Sequence, residues 1–111
     1  MGASAIVAGP DPDGLSDALA DEGVRITRID GVVSAATLEA AGVNDATMLV
    51  LTDMDEASGI PVAKELNSEV RVVVYSERSL PDFVTAQTDL AVDPALLDVG
   101  VVAEELAAES S

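Results

Sequence analysis

Cysteine and histidine are both absent from the 111 residues. Without cysteine there is no disulfide, no thiolate chemistry and no cysteine-ligated zinc. Without histidine the chain lacks the usual general base at neutral pH and the commonest metal ligand. Aromatic side chains are reduced to Tyr75 and Phe83, so Ala, Val, Leu and Ile must fill the core, which suits thin layers in close helix–sheet approach. Lysine and arginine together number 5, and only Lys64 is a lysine. No basic stripe exists to neutralise phosphates, which disfavours nucleic acid as a partner. No apolar run approaches the roughly 20 residues that span a bilayer. The first residues also lack the basic segment of a signal peptide. A cytoplasmic protein with no direct membrane insertion is expected.

What is present is acid and aliphatic side chain. Asp and Glu number 21, for a net charge of −16, while hydrophobic residues make up 49% of the chain. That hydrophobic share argues against disorder despite the charge, and the length suits one domain over residues 1–111. A chain so charged repels itself in dilute buffer. In molar salt the Debye length falls to roughly 3 Å and the penalty largely vanishes. The lysine-poor, Ala/Val/Asp/Glu-rich profile looks like that of cytosolic proteins of salt-loving archaea, and salt adaptation is the plain reading of most surface acids.

Five short apolar runs alternate with helix-like stretches. Residues 4–8, 25–29, 47–51, 71–75 and 89–92 read as strands, and the third and fourth are apolar without alternation, as in central parallel strands covered on both faces. Asp11 or Asp13 can cap a first helix with Leu15, Ala18 and Leu19 inward and Gly23 as its stop. Ser34 can cap a second, stopped by Gly42. A third runs from about 58 to 66 with Pro61 near its start, and a weak one lies around 81–87. Asp93-Pro94 opens the last, with Leu97, Val101, Val102 and Leu106 inward and a kink or break possible at Gly100. Such alternation implies right-handed crossovers and an α/β, doubly wound sheet with helices on both faces.

The stretch AIVAGPDPDGLSDALADEGVRITRID (5–30) resembles the opening of Rossmann nucleotide-binding domains, and is most similar to potassium-transport regulators of the TrkA-N, or RCK, type. TLEAAGVNDATMLVLTDMDEA (37–57) resembles that family's Leu-Glu-x-Ala-Gly turn, acidic link, apolar strand and Thr-Asp tail. VAKELNSEVRVVVY (62–75) and DLAVDPALL (89–97) are similar to its later helix and strands. The resemblance implies a three-layer Rossmann-like fold, a nucleotide such as NAD(H) or another adenine nucleotide as cofactor, and a homodimer or a partner protein. It places the cofactor-binding positions at Gly9, Asp11, Gly14, Asp30, Thr52 and Asp53.

Two departures alter that implication. The family's G-x-G-x-x-G loop is Gly9-Pro10-Asp11-Pro12-Asp13-Gly14 here. The second glycine normally lets a pyrophosphate approach the backbone; acids at 11 and 13 repel one, and the two prolines remove N–H donors. The chain is also short between Asp30 and Thr37, where the family inserts a helix and a further strand. Five strands in the order 2-1-3-4-5 are therefore expected. The second strand becomes a sheet edge, which Arg25 and Arg28 can blunt against aggregation.

Ligands in doubly wound sheets sit beyond the carboxyl ends of the strands, where this chain carries Asp11, Asp13, Asp30, Asp53, Asp55, Ser76, Glu77 and Asp93. Three readings of these acids stand open: caps, turns and salt-adapted surface; an adapted nucleotide site using Asp30 for ribose while avoiding phosphates; or a site for Mg²⁺, Ca²⁺ or an alkali ion. The density of acids elsewhere favours the first. The strand order also invites comparison with phosphorelay receivers, since Asp53 ends the third strand where a receiver holds its phosphoacceptor. Gly9-Pro10 replaces the paired acids after the first strand, however, and Asp93-Pro94 stands where a lysine should follow the fifth. With no nucleophile–base pair, enzymatic function is not expected. The sequence reading is a non-catalytic regulatory or interaction module with weak or lost dinucleotide binding. A working nucleotide sensor for cation transport and a divergent receiver-like signalling domain are the alternatives.

Overall fold

The computed structural model describes residues 3–11, 14–29, 32–52, 57–76, 82, 86 and 88–110. Five parallel strands, β1 (Ser4–Ala8), β2 (Arg25–Ile29), β3 (Met48–Leu51), β4 (Arg71–Tyr75) and β5 (Leu90–Val92), form one sheet in the order β2-β1-β3-β4-β5. This is the expected doubly wound, Rossmann-like α/β fold. Register is set by Ala5 opposite both Ile26 and Met48, Met48 opposite Arg71, and Val73 opposite Leu90.

Side chains alternate across the sheet, and each set has its own helical layer. Ile6, Ala8, Leu49, Leu51, Val72 and Val74 face α2 (Ala35–Ala40) and α3 (Gly59–Leu66), whose Leu38, Ile60 and Ala63 are buried against them. Ala5, Val7, Met48, Val50, Val73 and Tyr75 face α1 (Leu15–Asp21) and α4 (Val99–Ser110), which contribute Leu15, Leu19, Val102, Ala103 and Leu106. Both faces of β3 are thus covered, which explains its unbroken apolar run.

Local signals account for most boundaries. Ser34 closes a reciprocal cap with Thr37: the Thr37 N–H donates to Ser34 Oγ, and the Ser34 N–H donates to Thr37 Oγ1, an arrangement that satisfies two orphan donors. Pro61 lies in the first turn of α3, where its missing N–H costs nothing. A 3₁₀ turn, Val43–Asp45, follows Gly42 and was not expected from the sequence. Asn67 holds it in place, its Nδ2 donating to the carbonyls of Val43 at 2.9 Å and Ala46 at 3.2 Å.

The last helix departs from the sequence reading. Asp93 builds a turn instead of opening the helix: its Oδ1 accepts from Ala95 N–H and its carbonyl from Leu96 N–H, both at 2.9 Å. The helix begins at Val99, so Gly100 lies in its first turn and breaks nothing. Val102 and Leu106 point inward as expected, but Leu97 and Val101 are each 47% exposed: Leu97 precedes the helix, and Val101 lies about 100° around it from Val102. The helix expected around 81–87 lies, apart from Asp82 and Ala86, outside the described residues. Among the described residues no helix is long and apolar enough to cross a membrane.

Candidate functional site

The loop leaving β1 crosses the carboxyl end of the sheet, where such folds bind ligands. Gly9 and Gly14 bracket it with φ of 105° and 75°, angles that side-chain-bearing residues rarely adopt. Both retained glycines are therefore required by backbone shape, with or without a phosphate.

Asp11 organises the loop. Its Oδ1 accepts the Leu15 N–H at 2.8 Å and its Oδ2 the Ser16 N–H at 2.7 Å. These are the first N–H groups of α1, the donors that lack partners within a helix. The carboxylate thus sits on the donors that a nucleotide phosphate uses in glycine-rich loops. Its side chain is only 5% exposed. Burial pushes the Asp11 carboxyl up, but hydrogen bonds from the Ser16 N–H and hydroxyl and the Leu15 N–H, with the nearby Arg28 charge, outweigh it and hold it below the ordinary carboxylate range.

Arg28 reaches the same loop from β2. Its Nη2 donates to the Gly9 carbonyl at 2.8 Å and its Nη1 to Ser16 Oγ at 3.3 Å, while Nη1 lies 3.7 Å from Asp11 Oδ2. Its head therefore faces the loop as well as guarding the sheet edge. From β3, the Thr52 N–H donates to the Ala8 carbonyl at 2.9 Å, and the Thr52 hydroxyl hydrogen is shared between the carbonyls of Ala8 and Pro10. Three strands thus clamp one loop.

Of the sequence-derived candidates, Gly9, Asp11, Gly14 and Thr52 come together here. Asp30 and Asp53 lie outside the described residues, as do Asp13, Asp55 and Glu77. Asp93 is engaged in its turn and Ser76 N–H donates to the Val92 carbonyl. Arg28 and Ser16 are participants that sequence reasoning did not assign to the site. The available signal was the scarcity of bases: Arg28 lies one residue from the end of the strand that pairs with β1. Among the described residues no group of three or more acids could hold a metal ion. Among the described residues, the arrangement places the Asp11 carboxylate on the first N–H groups of α1 and beside the Ser16 hydroxyl and the Arg28 head.

Residues 5–106 match the model of a family described as "Family of unknown function (DUF7126)". The chain belongs to this family. No curated protein matches the DUF7126 chain. Among solved structures it is similar to HP1043, an orphan response regulator of H. pylori, with a TM-score of 0.76 at 12% identity over 98% of this chain and 97% of that one. It is similar to a CheY-like receiver domain protein of Methanospirillum hungatei, with a TM-score of 0.70 at 13% identity over 99% and 94%. It is also similar to the TrkA-N domain of the Escherichia coli inner membrane protein ybaL, with a TM-score of 0.60 at 15% identity over 96% and 97%. The Rossmann-like fold anticipated from the sequence is thus shared with a TrkA-N domain, while receiver domains superpose with the higher scores.

Proposed function

We propose that this chain is a non-catalytic regulatory or interaction module of receiver-like architecture that works without a bound dinucleotide and without phosphorylation. The observation that carries this reading is the Asp11 carboxylate on the Leu15 and Ser16 N–H groups at 2.8 and 2.7 Å. A diphosphate would have to displace a buried, doubly hydrogen-bonded anion and then share the loop with its charge, a contest of like charges in a poorly hydrated place. The higher superposition scores of the receiver domains support the receiver-like reading over the potassium-transport one. The sequence separates the chain from a working receiver at two positions. Gly9-Pro10 stands in place of the acids that would hold a metal, and Asp93-Pro94 in place of the lysine that would meet a phosphoryl group.

Calorimetric titration with NADH, NAD, ATP and cyclic dinucleotides in molar KCl, alongside incubation with acetyl phosphate and intact-mass analysis, tests the reading. No saturable nucleotide binding and no added phosphoryl mass are expected. Sub-millimolar binding of a dinucleotide would restore the nucleotide-sensor reading implied by the TrkA-N resemblance. A stable phosphoryl adduct would restore the working receiver.

A further inference from the structure

Among the described residues, β5 and α4 leave an apolar groove between them. It holds about 220 Å³, is floored by Val92 and Val102 and is flanked by Leu97, Val101 and Glu105. Among the described strands β5 is an end strand, paired with β4, so the groove lies at a sheet edge. Leu96 is 79% exposed beside it, and Leu97 and Val101 are each 47% exposed. Three aliphatic side chains this open on one short stretch form the kind of patch that marks a docking surface.

Size and charge decide what fits. A stable interface between two folded proteins takes roughly 800 Å² from each side. The feature here is smaller in kind, three exposed aliphatic side chains around a groove of about 220 Å³, room for a few side chains of one helix. The charge at the groove has one sign: Glu105 lines it, Asp98 is exposed next to Leu97, and the sequence from 90 to 110 contains no lysine or arginine. A second copy docked by two-fold symmetry would bring those same acids against themselves. A segment carrying lysine or arginine beside its apolar face would not.

We propose that this groove receives a short amphipathic helix from another protein, apolar where it meets Leu97 and Val101 and basic where it passes Asp98 and Glu105. The proposal rests on the interaction-module reading and adds a surface and a partner chemistry to it. The apolar contacts set affinity, and the acidic rim sets orientation and rejects acidic segments.

The probe is a fluorescein-labelled 14-residue helix of sequence (LKKLLKL)₂, with two controls: a scrambled peptide of the same composition and a version with glutamate for lysine. Anisotropy is read with the full chain in 0.2 M and 2 M KCl, after circular dichroism shows each variant folded. Saturable binding of the first peptide is expected, with both controls at least tenfold weaker. Leu97→Asn should weaken binding about tenfold and the near-isosteric Val101→Thr about threefold, as for truncated anchors in a docking groove. Glu105→Gln should flatten the salt dependence. Absence of saturable binding overturns the proposal. So does equal binding by wild type, Leu97→Asn and Val101→Thr, which would mean a polycation adhering to an acidic surface. Light scattering that shows a dimer dissolved by Leu97→Asn would assign the groove to a second copy instead. None of these failures touches the nucleotide titration on which the module reading turns.

Discussion

Gly59 and Val33 are packed so closely that a Cβ added to the glycine would lie 2.4 Å from Val33 Cγ1 and 2.9 Å from Val33 Cβ. Gly59 is the first residue of α3 and Val33 is a buried residue of the segment leaving β2. The start of α3 is thus seated directly on the chain that leads into α2. Gly59→Ala should therefore destabilise by about 1–3 kcal/mol, the usual range for overpacking, even though alanine is the better helix former by up to about 1 kcal/mol. Val33→Ala should cost about 1–2 kcal/mol alone, as for a deleted buried methyl pair. The double variant should cost less than the sum of the two. Urea midpoints of the four proteins measure this; a Gly59→Ala variant as stable as wild type would show that the approach is looser than described.

Asp11 acts as the cap of α1 from three residues before the N-cap position, which Gly14 fills without a side chain. Asp11→Ala should cost about 1–2 kcal/mol, the range for a lost N-cap, and should leave the Arg28 head with one less partner. Asp11→Asn keeps one acceptor oxygen and should fall between alanine and wild type. Thr52→Val, which removes the hydroxyl shared by the Ala8 and Pro10 carbonyls, should cost about 1 kcal/mol. Chemical denaturation of the three variants checks the ranking, and an Asp11→Ala midpoint equal to wild type would remove the cap from the account.

The strand order followed from the resemblance and its missing strand. The strand positions and the helices α1 to α3 were legible in the sequence because each rests on a short-range signal, such as the apolar run at Leu49–Leu51, the cap at Ser34 and the stop at Gly23. The start of α4 was not. Asp93-Pro94 reads as a helix opening, yet the Asp93 side chain turns back on Ala95, and choosing between the two needs the position of β5, which is tertiary information. The site was half legible. Asp11 could be read as a cap and as an obstacle to phosphate, but its engagement with Arg28 depends on β2 pairing with β1, with Val7 opposite Arg28. A spacing of 17 residues between two charges carries no such information by itself.

Two carboxylates tie acid stability to specific contacts. For Asp89, burial raises the carboxyl, and the Lys64 Nζ at 2.8 Å, the Val72 N–H at 2.8 Å and the charge of Arg71 together bring it below the ordinary range. Asp11 is lowered likewise. A carboxyl depressed on folding contributes its stability above the unfolded value of about 3.9 and loses it as pH falls through the folded value. The gap in urea midpoint between wild type and Asp11→Asn should therefore be full at pH 6 and narrow below about pH 4, and Asp89→Asn should behave the same way. Comparing differences cancels the general relief of repulsion as the other acids protonate. A gap that stays constant to pH 3 would show that neither carboxyl is depressed.

The net charge of −16 predicts how salt acts on the whole fold. With 5 basic residues against 21 acids, most of the acids have no basic side chain to pair with one to one; among the described residues Lys64 pairs with Asp89 and Arg28 with Asp11. The radius of gyration is 12.4 Å, comparable to the Debye length of about 10 Å at 0.1 M salt. Repulsion therefore reaches across the molecule in dilute buffer and is confined to near neighbours at molar salt, where the length is about 3 Å. The melting temperature should rise steeply between 0.1 and 1 M KCl and more slowly above that. Sucrose at matched osmolality separates screening from general exclusion effects, because it strengthens burial without screening charge. If sucrose reproduces the whole rise, charge repulsion is not what salt relieves; if KCl raises the melting temperature well beyond sucrose, the acidic surface is the cause.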